Sequence, residues 1–110
     1  MTKKATRMVF HGVTRQICQR WRIPLTDINS GYCYDWARLA TQHCPAAQLF
    51  YVRRLIPHAF IYFTGQWFDA QRPAGVRQWQ QLPLFKPYRA VLHPKDLIHW
   101  QPGDRFWRNH

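Results

Sequence analysis

The fold turns on Asn29–Val76, and above all on two pieces of it: N-S-G-Y-C-Y-D-W-A-R-L-A-T-Q-H-C-P (residues 29–45) and P-H-A-F-I-Y-F-T-G-Q-W-F-D-A-Q-R-P-A-G-V (residues 57–76). In the first, Cys33, Trp36, Ala37, Ala40 and Cys44 recur at helical spacing, while Arg38, Thr41 and Gln42 fall outside that stripe. Asn29 or Ser30 can cap the helix, and Pro45 stops it. Cys33 is thereby placed in or near the first turn, where free backbone N–H groups and the positive end of the helix dipole favour a thiolate.

The second piece reads as extended chain. Strands are expected over 58–64 and 66–70, joined at Thr64 and Gly65. If those two residues alone form the loop, Phe63 faces Gln66 and Phe60 faces Asp69. His58 and Asp69 then project from one face as diagonal neighbours. A three-residue loop would put them on opposite faces. A cysteine nucleophile needs an imidazole to hold it as an ion pair and to protonate the leaving group, and the imidazole needs a third group to fix its orientation. Cys33, His58 and Asp69 fit those roles in that order.

Around this centre the chain is short and basic. Its 110 residues are 46% apolar and 16% aromatic, enough for one small core and no second domain. Sixteen Lys and Arg stand against five acidic residues, a formal charge of +11 that favours anionic partners. The three cysteines, Cys18, Cys33 and Cys44, leave one unpaired under any disulfide scheme and show no C-x-x-C spacing. Free thiols point to a cytoplasmic setting. There is neither a signal-like apolar run nor a stretch long enough to span a membrane, so no membrane partner is expected.

Residues 1–8 read as a basic, poorly ordered arm, with a single domain over 9–110. Val13, Ile17, Cys18 and Trp21 suit one face of a helix ended by Pro24. A strand is expected over 48–54, and Arg72–Gly75 reads as a Pro and Gly turn. A short helical turn over 76–82, a last strand over 88–93 and a short helix over 94–100 complete the chain. His93 and His99 lack Cys or carboxylate neighbours at ligand spacing, so no metal site is expected. Arg20-Trp21-Arg22 and Arg105-Phe106-Trp107-Arg108 mix charge with rings and could contact nucleic acid.

The segments Gly31–Ala40 and His58–Ala70 together resemble the core of transglutaminase-like cysteine enzymes within the broad papain-like group. There a Gly-x-Cys opens a helix, and a His-Ala-aromatic strand is followed by a strand carrying Gly, Trp and Asp. The likeness implies an α+β fold in which the Cys33 helix packs on an antiparallel sheet of three to four strands. It implies Cys33 as nucleophile, His58 as base and Asp69 as orienter, with no cofactor. The family includes transglutaminases, proteases, amidases and deamidases, so the implied activity is attack on an amide, thioester or ester bond of a protein or peptide; that the substrate is acidic is expected from the +11 charge instead. Asn29 and Tyr32 are the nearest candidates for a side-chain oxyanion donor. Phe60 stands where the family often has Trp, and only twenty-four residues separate Cys33 from His58. The alternative, from a different class, is a basic binding module for nucleic acid or an acidic protein that retains the fold without the chemistry.

Overall fold

The computed structural model describes residues 2–105; the basic and aromatic run 106–108 lies outside them. Two helices, α1 (Lys3–Trp21) and α2 (Cys33–His43), pack on one face of a five-stranded antiparallel sheet. The strands are β1 (Gln48–Val52), β2 (His58–Phe63), β3 (Gln66–Asp69), β4 (Arg72–Val76) and β5 (Ile98–His99), in the spatial order β4-β3-β2-β1-β5.

The central hairpin has the expected register. Phe63 pairs with Gln66, Tyr62 with Trp67 and Ile61 with Phe68. Thr64 and Gly65 both have positive φ, 49° and 83°, as the tight turn that matches strand twist requires. Strand alternation then sorts the side chains. Leu49, Tyr51, Ala59, Ile61, Phe63 and Phe68 join Phe10, Val13, Ile17, Trp36 and Ala40 in the core beneath the helices. Val52 and Phe60 turn to the other face, where they meet Trp79, Leu82, Phe85 and Leu92. The helices are also tied by a buried hydrogen bond from Trp36 Nε1 to Thr14 Oγ1 at 3.0 Å.

Five expectations need correction, the first being the sheet of three to four strands: it has five, with 72–76 and 98–99 as its edge strands. Helix α1 starts at Lys3, so residues 3–8 are helical rather than a loose arm: Thr2 Oγ1 accepts from Ala5 N, and Thr6 and Phe10 extend the buried stripe. Residues 72–76 form a strand, not merely a turn. Pro73 is tolerated because β4 is an edge strand, and Gly75, at φ 87°, sits where a Cβ would lie 2.8 Å from the Phe68 ring. The last strand is Ile98–His99 rather than 88–93, since Phe50 and Tyr51 of β1 give those two residues backbone partners. The helix expected over 94–100 is accordingly only the short 3₁₀ turn Pro94–Asp96. The expected turn near 76–82 is present as the 3₁₀ turn Trp79–Gln81, and a second, Pro83–Tyr88, follows it. No helix among the described residues is long and apolar enough to cross a membrane.

Candidate functional site

Cys33 is the first residue of α2. The chain reaches it through a 3₁₀ helix, Leu25–Ser30, and the pair Gly31-Tyr32; Tyr32 N donates to Ile28 O at 2.7 Å, turning the backbone into the helix. Neither Asn29 nor Ser30 is the cap: Tyr32 occupies that place and makes no side-chain capping bond. The Cys33 sulfur accepts from the backbone N–H of Ala59 at 3.4 Å. That contact ties the start of α2 to the start of β2, where His58 lies.

His58 opens β2, and its Nε2 lies 2.9 Å from Asp69 Oδ2. Each oxygen of Asp69 has its own task. Oδ1 accepts from the backbone N–H groups of Gln71 and Arg72, at 2.9 and 3.0 Å, and so fixes the turn into β4. Oδ2 takes the imidazole, and also the amide of Asn29, whose Nδ2 donates at 3.4 Å. A carboxylate with this many donors is held in one orientation, and it fixes the ring of His58 with it.

That leaves His58 Nδ1 without a hydrogen-bond partner in a fully buried residue. Burial is the largest influence on the imidazole and works against its charge. The Asp69 hydrogen bond, and then the contact and charge of Cys33, work in the opposite direction and raise its pKa to about 9. Cys33 thus stands close enough to favour the imidazolium, although no formed hydrogen bond occupies Nδ1. The arrangement brings Cys33, His58 and Asp69 together: one ring nitrogen is committed to the carboxylate, and the other makes no hydrogen bond.

Asn29 and Tyr32 are placed differently from an oxyanion pair. The Asn29 amide is committed to Asp69, with Oδ1 buried and unpartnered, and the Tyr32 ring lies against Trp21 at a centroid distance of 5.5 Å. Two contributors have no signature in the sequence. One is the Ala59 N–H at the sulfur. The other is Phe85, whose ring meets the His58 ring edge-on at 5.4 Å and is itself fully buried. A run of aromatic residues after Trp79 signals only burial, not which residue it will cover.

The site is closed. Cys33, His58 and Asp69 are 1%, 0% and 1% exposed. The turn that carries Phe85 is cross-braced by Arg89, which donates to the carbonyls of Gln80 and Gln81. The chain beyond it is pinned by Arg54, which pairs with Asp96 at 2.8 Å. No group of three His, Cys, Asp or Glu side chains arranged to hold a metal ion occurs among the described residues. No family model, curated protein or solved structure matches this chain.

Proposed function

We propose that the protein is a cysteine-nucleophile enzyme of transglutaminase-like type that cleaves or exchanges an amide, thioester or ester bond through Cys33, His58 and Asp69. The observation that carries this reading is the buried His58–Asp69 pair with its second ring nitrogen unpartnered beside Cys33. A structural histidine would satisfy both nitrogens, since an unmade buried hydrogen bond costs about 1–3 kcal/mol.

In the proposed reaction the Cys33 thiolate attacks the carbonyl carbon, and the carbonyl electron pair moves to oxygen. Backbone N–H groups at the start of α2 stabilise that charge. The C–N, C–S or C–O bond then breaks as imidazolium His58 gives its proton to the leaving amine, thiol or alcohol, and an acyl thioester remains on Cys33. Water, or an acceptor amine in a transfer reaction, is deprotonated by the now neutral His58 and attacks the thioester, which restores thiolate and imidazolium. Asp69 keeps Nε2 protonated throughout and so keeps Nδ1 toward the sulfur. No cofactor enters these steps.

With sulfur and imidazole covered, reaction requires an opening motion, and the turn Pro83–Tyr88 is the element whose displacement uncovers His58. The three free cysteines suit a reducing, cytoplasmic setting, and an acidic protein or peptide suits the +11 charge. The test is alkylation at neutral pH with all three thiols compared by peptide mapping. Cys33 should react fastest and slow markedly in His58→Ala; equal, slow reaction of Cys18, Cys33 and Cys44 would defeat the proposal. Binding of nucleic acid is the second reading, motivated by the same charge. It predicts retention that falls steeply with salt and survives Cys33→Ala.

A further inference from the structure

Helices α1 and α2 do not close against each other along their full length. A cleft of about 470 Å³ opens between the last turns of α1 and residues 34–42 of α2, within the range of ligand sites. Arg20 and Trp21 line it from α1; Tyr34, Asp35 and Arg38 line it from α2. Two guanidinium groups face one carboxylate, and Trp21 is 43% exposed, a high value for the largest side chain in the protein. Both arginines lie beside indoles: Arg20 Cζ is 5.5 Å from the Trp21 ring, and Arg38 Cζ is 4.6 Å from that of Trp100. A guanidinium beside an indole keeps its charge, and its planar fork of N–H donors matches a carboxylate.

The cleft also has a definite place relative to the candidate nucleophile. Tyr34 and Asp35 directly follow Cys33 at the head of α2, one and two residues on, with neighbouring Cα atoms about 3.8 Å apart. Cys33 itself is 1% exposed and does not line the cleft.

We infer that the α1–α2 cleft is a docking site for an acidic peptide segment, whose carboxylates are held by Arg20 and Arg38 while an apolar or aromatic side chain of the segment rests on Trp21. That this segment belongs to the substrate rests on the proposed function. The affinity of the cleft for acidic peptide does not. An acidic peptide is favoured over a nucleic acid strand because the lining offers one largely exposed ring, Trp21, between two guanidinium groups, rather than a row of platforms for successive bases.

The experiment is titration of the intact protein with an oligoglutamate peptide, followed by tryptophan fluorescence at low and at physiological salt, with oligothymidylate in a parallel arm. Saturable oligoglutamate binding, weakened at least tenfold by Arg20→Glu with Arg38→Glu and partly by Arg20→Gln with Arg38→Gln, is expected. Iodoacetamide should label Cys33 at an unchanged rate in all of these variants. Oligoglutamate binding indifferent to both arginines would overturn the inference, as would its absence. So would tighter, arginine-dependent binding of oligothymidylate. Oligoglutamate held by the arginines on a protein whose Cys33 is inert would leave the docking site standing and remove the enzyme.

Discussion

Asp69→Asn gives the sharpest view of how the trio works, because it changes one atom and reverses one hydrogen bond. Oδ1 would still accept from the backbone N–H groups of Gln71 and Arg72, so the turn into β4 should survive. The other end of the side chain would become an amide donor facing Nε2 of His58, which lies 2.9 Å away. Nε2 must then accept, the ring proton moves to Nδ1, and the imidazole can no longer take a proton from the thiol. Without the carboxylate, burial dominates the balance that now raises the His58 pKa to about 9, and the ring becomes neutral at pH 7. A ring whose pKa falls from about 9 to the ordinary value near 6.5 goes from almost wholly protonated at pH 7 to about one quarter protonated, and burial lowers that fraction further. The assay is the His58 ring resonances by NMR against pH, assigned with His58→Gln, which reads its protonation directly and does not depend on access to a buried sulfur. The parent protein should keep His58 protonated until pH approaches 9, and Asp69→Asn should lose that proton below pH 7. Superimposable titrations would refute the reasoning, since the carboxylate would then have no part in holding the imidazolium.

Three further outcomes follow from the same contacts. Asn29→Ala removes a long hydrogen bond to Asp69 Oδ2 but also removes an unpartnered buried oxygen, so it should cost only about 1 kcal/mol in denaturant unfolding; a loss above about 3 kcal/mol would mean that Asn29 holds far more than this carboxylate. Phe85→Ala empties a fully buried site over His58. It should destabilise by about 3–5 kcal/mol yet speed alkylation of Cys33 under native conditions, and slower labelling would show that Phe85 is not part of the cover. Finally, the His58 pKa is raised in the folded state, so the folded protein binds the extra proton and stability is fully present below the unfolded value near 6.5. It should decline as pH rises through about 9, by about 3 kcal/mol in all, and urea midpoints should fall over that window in the parent but not in His58→Gln.

The hairpin and its consequences were legible because strand side chains alternate with a period of two. A two-residue turn at Thr64-Gly65 therefore leaves no freedom in which residues share a face with His58. The α2 stripe was legible for the equivalent helical reason, and it put Cys33 at the helix start. Other parts of the fold are set by contacts distant in sequence. Lys3–Met8 looks polar and loose, and only the Thr2 cap and the burial of Thr6 and Phe10 make it helical. Arg72–Gly75 has the composition of a turn, and its strand character comes from β3 alongside it. Ile98–His99 is too short to announce itself and exists by pairing with Phe50 and Tyr51. Within the site, the residue types of Cys33, His58 and Asp69 marked them out. The bond from Asn29 to Asp69 spans forty positions, and no local pattern encodes it.

The central claim is that Cys33 is a nucleophile primed by His58, and the most direct measurement is acyl transfer to sulfur. The protein would be incubated with a small activated ester at pH 7, then analysed by intact mass and peptide mapping. The account predicts a single acyl group on Cys33 as a hydroxylamine-labile thioester, absent from His58→Ala. An acyl group carried by the more exposed Cys18 instead, or formed on Cys33 equally well without the imidazole, would contradict it.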